Sequence, residues 1–214
     1  MVSSFTRVMI ICPGSFLTFQ LDILMIDIEN VRCFTTNRPD FSIFGAAATF
    51  DRLPATHREQ ILFLNPAASA YIYSFSTAAH LLTGGLWDPF EKGNFKEVDE
   101  FNQFYGNDES KRLLKKWLFN KGIAFGTTVF LLEESNNQVI LTTWKIMVKY
   151  AADIFISNDV MLFDKTLNWC LLYFHHDRLF FGRGNVYDAT ADEMRVIALN
   201  ERKKKFPQFN HPYL

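Results

Sequence analysis

The sequence is poor in cysteine, glycine and proline, with 3 Cys, 10 Gly and 7 Pro in 214 residues. So few glycines and prolines exclude a collagenous or low-complexity chain, and so few cysteines exclude a disulfide scaffold. Cys12, Cys33 and Cys170 are odd in number and far apart, without a C-x-x-C or any Cys/His spacing that fits zinc. They read as reduced thiols of a cytoplasmic protein. A charge of one sign is also lacking, because 22 Lys and Arg stand against 23 Asp and Glu, for a net −1. There is no basic stripe to neutralise phosphates, so no nucleic-acid partner is expected. The cations that do cluster are Arg195, Arg202, Lys203, Lys204 and Lys205. They fall at a predicted helix end, where positive charge suits the dipole. Long apolar runs are missing too. Pro13-Gly14 stops the run from Val8 to Cys12, and Asp22 and Asp27 interrupt Phe16 to Ile28. A spanning helix needs about 20 apolar residues, so no membrane partner is expected. Arg7 is the only early cation and no small-residue cleavage site follows, which argues against a secretory signal. Whether residues 1–33 belong to the core or to a processed segment stays open.

What the sequence has is phenylalanine. Its 23 Phe outnumber its 22 Lys and Arg, and 49% of the chain is hydrophobic. That excludes disorder, since there is ample apolar surface to offset chain entropy. Thirteen Phe fall at or before Phe104 and ten after it, so both halves can contribute to one core. A single domain over 1–214 is expected, and any subdivision would fall between 1–107 and 108–214.

The patterning is mixed. Arg7 to Cys12 reads as a strand, and Phe16 to Ile28 fits helix or strand. A strand is also allowed over Val31 to Phe34. Pro54 to Leu64 reads as a short helix, and Ala67 to Leu82 as a longer one ended by Gly84-Gly85. Leu86 to Ser110 reads as a loop. Asp108 to Lys121 is a helix with Asp108 as its cap and Gly122 beyond it, Thr127 to Glu133 a strand, and Ser135 to Asn137 a turn. Val139 to Phe155 is either a long strand or a strand that passes into a helix, and the spacing favours a helix from about Thr142. Strands follow at Val160 to Phe163, Leu167 to Phe174 and Leu179 to Gly182, the last two joined by a turn at His175 to Arg178. Thr190 caps a final helix, Ala191 to Lys204. Leu167 to Phe174 is apolar on both faces and should be a central strand covered on both sides. The expected fold class is α+β, a mainly antiparallel sheet with helices packed on it.

No stretch carries a chemical signature. There is no G-x-S-x-G, no H-E-x-x-H, no G-x-G-x-x-G and no Walker motif. No cofactor or metal is implied. The most reactive-looking cluster is His175, His176 and Asp177, with Asp153, Asp159, Asp164 and Asp188 on loops expected to converge near one sheet end. His175 or His176 with Asp159 or Asp164 could serve a metal-dependent or His/Asp-based hydrolase. Polar residues are equally what a turn requires, and adjacent strand residues send their side chains to opposite faces. His57 and His80 stand alone on predicted helices.

The segment Leu86 to Ser110 is more suggestive. It carries a net −5 and interleaves carboxylates with rings. Trp87, Asp88, Phe90, Glu97, Asp99, Glu100, Phe101, Phe104 and Tyr105 form its candidate contact set. Rings supply contact area at low entropy cost, and acids steer a basic partner.

The run Thr143-Trp144, Asp159, Asp164 with Asn168-Trp169, Tyr173-Phe174-His175 and Phe180-Phe181-Gly182 resembles small bacterial proteins found beside secreted toxins. These immunity-type proteins often end in a strand pair with a Trp in the first strand, a His at its end and an aromatic-Gly close. The resemblance covers about residues 125–185 and implies stoichiometric binding that blocks a toxin. A non-enzymatic protein-binding protein is therefore the favoured expectation, with a basic toxin domain as its concrete partner. A hydrolase is the first alternative. An oligomer-forming structural protein, with surplus Phe at an interface, is the second.

Overall fold

The computed structural model describes residues 25–37, 50–79, 81, 89–90, 94–102, 107–134, 136–155 and 158–186, with isolated positions 197, 200, 201, 204 and 205. Those five positions are helical. The expected strand at Arg7 to Cys12, most of Phe16 to Ile28, His80, Gly84-Gly85, Asp188 and Thr190 lie outside the described residues.

Eight strands form one antiparallel sheet. They are β1 (Thr35–Thr36), β2 (Leu62–Leu64), β3 (Phe95–Asn102), β4 (Thr128–Glu133), β5 (Asn136–Thr143), β6 (Val160–Phe163), β7 (Trp169–Phe174) and β8 (Arg178–Asn185). The spatial order is β1-β2-β5-β4-β6-β7-β8-β3. Strands from both sides of the 107/108 boundary thus share one sheet, with β1 on β2, β2 on β5 and β3 on β8. The helices are α1 (Ala55–Arg58), α2 (Pro66–Ala78), α3 (Asp108–Phe119) and α4 (Trp144–Ile154), so the fold is α+β.

The period-two alternation of the central strands feeds two cores. Val129 and Leu131 of β4, Val160 and Leu162 of β6, and Trp169, Leu171 and Tyr173 of β7 share one core with Leu114 and Leu118 of α3 and Met147 and Ala151 of α4. Phe130 and Leu132, Met161 and Phe163, and Cys170 point the other way, toward Ala68 and Ile72 of α2 and toward Val31 and Phe34. All four β6 residues are buried, as are the first five of β7. A strand covered on both faces needs apolar side chains at every position, which is what both strands carry. Each fully buried Leu, Val or Phe contributes about 1.5–3 kcal/mol.

Local chemistry sets the helix starts. Asn65 Oδ1 accepts from Ala68 N at 2.9 Å, with Pro66 following as the first helical residue. Asn107 Oδ1 accepts from Ser110 N at 2.8 Å, so Asn107, not Asp108, caps α3. Asp108 and Glu109 instead occupy the first turn. Thr143 caps α4.

Several element assignments change as well. Pro54 to Leu64 is one helical turn followed by a strand, because Leu62 and Phe63 pair with Leu141 and Ile140 of β5. Val31–Cys33 is a turn of 3₁₀ helix, not a strand. Asn136 and Asn137 fall in β5, where a turn was expected. Within the expected loop Leu86 to Ser110, residues Phe95–Asn102 form β3.

Candidate functional site

β3 is the last strand at one edge of the sheet. It pairs with β8 from Phe95↔Asn185 to Asn102↔Arg178, and no described residue pairs with its outer edge. Such a strand offers a row of unpaired N–H and C=O groups. Only Phe95 is buried, and Val98 is 52% exposed between acidic neighbours.

The candidate contact residues divide into groups. Trp87, Asp88, Phe104 and Tyr105 lie outside the described residues. Phe90 is partly buried, its ring 5.5 Å from that of Phe95 and 6.2 Å from that of Phe180. Gly182 makes that nest possible, since a Cβ there would stand 2.5 Å from Phe90 Cε1 and 2.7 Å from Phe95 Cγ. The Phe101 ring packs at a tilt against that of Trp117 of α3, with centroids 5.4 Å apart. Asp99 accepts from Trp117 Nε1 at 3.0 Å and pairs with Lys121 Nζ. The Lys121 bond holds the Asp99 carboxyl below its ordinary range, against the opposing effect of burial. Lys121 is itself buried, its ammonium 3.6 Å above the Trp117 ring. Burial pulls the Lys121 ammonium below its ordinary range, and the bond to Asp99 only partly offsets this. Glu100 accepts from Arg178 Nε and Nη2 at 2.9 and 2.7 Å. Asp99 and Glu100 are therefore largely spent inside the molecule. The Glu97 side chain makes no hydrogen bond or ion pair with any described residue. Lys96, Glu97 and Val98 are exposed without such a partner, Glu97 on one face of the strand and Val98 on the other.

The reactive-looking cluster also divides. Asp159 precedes β6 and Asp164 follows it, so the two carboxylates sit at opposite ends of one strand and do not converge. Asp153 is an exposed residue of α4. Asp159 is buried, and one of its oxygens accepts from His175 N at 2.7 Å. His175 Nδ1 lies 2.7 Å from the same oxygen. The rings of His175 and His176 are 4.2 Å apart, because both lie in the β7–β8 turn, where strand alternation does not apply. Asp177 closes the turn at φ 63° and accepts from Tyr173 Oη at 3.3 Å. Asp164 is buried at the other end, with Oδ1 accepting from Thr166 N at 2.9 Å and Oδ2 from Trp169 Nε1 at 2.9 Å. Among the described residues, no three of His, Cys, Asp and Glu are grouped so as to hold a metal. Cys170 is fully buried and its thiol is pushed well above the ordinary range, as an unreactive core residue should be.

Sequence reasoning missed Lys121. A lysine after a helix end reads as a solvated dipole partner; its burial under Trp117 depends on β3 lying alongside, which no local pattern announces.

No helix among the described residues is long and apolar enough to cross a membrane. No protein-family model, curated protein or solved structure matches this chain.

Proposed function

We propose that this chain is a non-enzymatic protein-binding protein that uses β3 as its contact strand, and that its concrete role is immunity-type neutralisation of a toxin. The observation that carries the reading is the exposed eight-residue edge strand, with Glu97 and Val98 turned outward and no described residue on its free edge. An extended segment of a partner can add to such an edge through main-chain hydrogen bonds, with side chains supplying specificity. Glu97 is the carboxylate of β3 left without a side-chain partner among the described residues, and it favours a cation beside it on the added strand. The toxin partner rests on the resemblance over about residues 125–185 and on that charge. Charge reversal at Asp99 or Glu100 would break internal pairs with Lys121 and Arg178, so the clean test uses Glu97→Lys and Val98→Lys. Both should weaken a co-purifying partner by about tenfold or more while the fold is unchanged. Wild-type affinity in both variants would remove β3 from the model.

The His175–Asp159 contact supports a second reading, a His/Asp-based hydrolase. A buried carboxylate 2.7 Å from an imidazole can orient the ring as a general base. The same oxygen also ties down the His175 backbone, which is what fastening a tight hairpin requires. Asp159→Asn separates the readings. A fastener predicts a stability loss with no activity to lose, whereas a base predicts that a hydrolytic activity found in the wild type falls without loss of fold.

A further inference from the structure

The end of α3 presents two exposed rings. Phe119, its last residue, is 59% exposed, and Phe125, in the link to β4, is 46% exposed. Gly122, at φ 71°, turns the chain back after the helix, and Thr127 N donates to Ala124 O at 2.9 Å. Lys145 N, in the first turn of α4, donates to Phe125 O at 3.0 Å. These bonds hold the Phe125 ring 5.9 Å from that of Phe119, at a tilt of 51°. Single exposed apolar side chains are ordinary, but here two large ones are fixed side by side.

The charges around the rings are of one sign. Lys115 and Lys116 lie one turn before Phe119, and Lys145 and Lys149 lie one turn apart on α4. All four are exposed and form no ion pair with a described residue. The sequence has no carboxylate from Ser110 to Thr127 or from Asn136 to Ala152. The acids of the two helices, Asp108, Glu109 and Asp153, sit at the start of α3 and the end of α4, away from the rings. In α3 this arrangement suits the helix dipole. In α4 it opposes the dipole, with Lys145 in the first turn and Asp153 in the last. The lysines of α4 are thus not placed to stabilise their own helix.

Apolar rings among unanswered cations match a surface that is anionic outside and apolar beneath. A protein segment would need a free strand edge or a groove, and β4, which follows the link, is paired on both edges. A nucleic acid would need open ring faces for stacking, whereas these rings pack against each other at a tilt. We propose that this tip attaches the protein to the surface of an anionic lipid bilayer, with Phe119 and Phe125 entering the apolar layer and the four lysines lying on the headgroups. Attachment of this kind needs no spanning helix. It does not use the free edge of β3, and it stands whether or not that edge binds a partner.

The test is co-sedimentation of the full chain with large vesicles of phosphatidylcholine, alone or with about 30% phosphatidylserine. The anionic vesicles should bind the protein at least about tenfold more tightly than the neutral ones, and added salt should weaken that binding. Phe119→Ser and Phe125→Ser, both at exposed positions, should each weaken it by about tenfold with unchanged thermal melts. Lys145→Gln with Lys149→Gln should do the same and remove much of the salt dependence. Oligothymidylate and polyglutamate, used in place of vesicles, stand for a nucleic acid and an acidic protein. The proposal is overturned by equal binding to both kinds of vesicle, by binding to neither, or by either polymer binding more tightly than the anionic vesicles. Wild-type affinity in both Phe variants, or in the double Lys variant, overturns it equally.

Discussion

Gly182 shows how much can depend on one missing methyl. Its Cα faces the rings of Phe90 and Phe95, and a Cβ would come within 2.5 Å of one and 2.7 Å of the other. Phe95 is buried, so its ring can yield only by disturbing the packing around it. Overpacking of this kind costs about 1–3 kcal/mol. Gly182→Ala should therefore lower the urea midpoint with an unchanged slope; an unchanged midpoint would show that the rings can move aside. Asp99 supplies a pH signature. Its folded carboxyl titrates below the ordinary 3.8, chiefly because of Lys121. Its contribution to stability is therefore present above about pH 4 and is lost as pH falls through the lower folded value. Asp99→Asn should flatten that acid limb in a series of denaturant melts, and an unaltered limb would place the acid sensitivity elsewhere. At this scale the sequence was only partly legible. Phe130, Phe155 and Phe163 are core residues as their periodicity implies, with exposures of 3%, 0% and 0%. Phe119 is 59% exposed although it continues the expected helix, and Phe95 is 6% exposed although it falls in the expected loop. Phe119 is the last residue of α3, where the apolar stripe has already left the sheet. Phe95 is buried by a glycine 87 positions away, a pairing that no local pattern encodes.

At the scale of elements, the strands differ in how they are covered. β6 and β7 are buried on both faces and flanked on both edges, whereas β3 is exposed and paired on one edge only. Amide exchange should follow that order. The β6 and β7 amides should exchange only by global opening, and those of β3 by local fraying with much less protection. Equal protection across all three would mean that the outer edge of β3 is already covered in the free protein. The same contrast explains what could be read from sequence. Val160–Phe163 is predicted to the residue, because an apolar run bounded by Asp159 and Asp164 has few other solutions, and β7 is covered on both faces as expected although it begins at Trp169 rather than Leu167. β3 reads as a loop because half of its residues are charged. An edge strand needs only one neighbour and carries charge on purpose, so its pattern is weak by construction. Leu62–Leu64 was absorbed into a helix because three residues are too few to show a period.

At the scale of the molecule, the antiparallel sheet decides which polar groups can meet. Loops on either side of one strand reach opposite ends, so Asp159 joins His175 while Asp164 joins Trp169, and a cluster that looks dense in sequence is split in space. The sheet also closes the chain on itself, with β3 lying beyond β8 and beside α3. That placement spends Asp99 and Glu100 internally and leaves Glu97 and Val98 outward. The α+β class was legible because it follows from apolar periodicity. Which member of an acidic segment faces outward was not, because it depends on partners far along the chain. The central claim is that this outward pair lies in a protein interface. Its most direct test is the affinity of a partner recovered from the host for wild type, Glu97→Lys and Val98→Lys, measured by calorimetry over a range of salt. The account predicts that both variants lose about tenfold or more and that Glu97→Lys reduces or reverses the salt dependence. Wild-type affinity and an unchanged salt slope in both variants would contradict it.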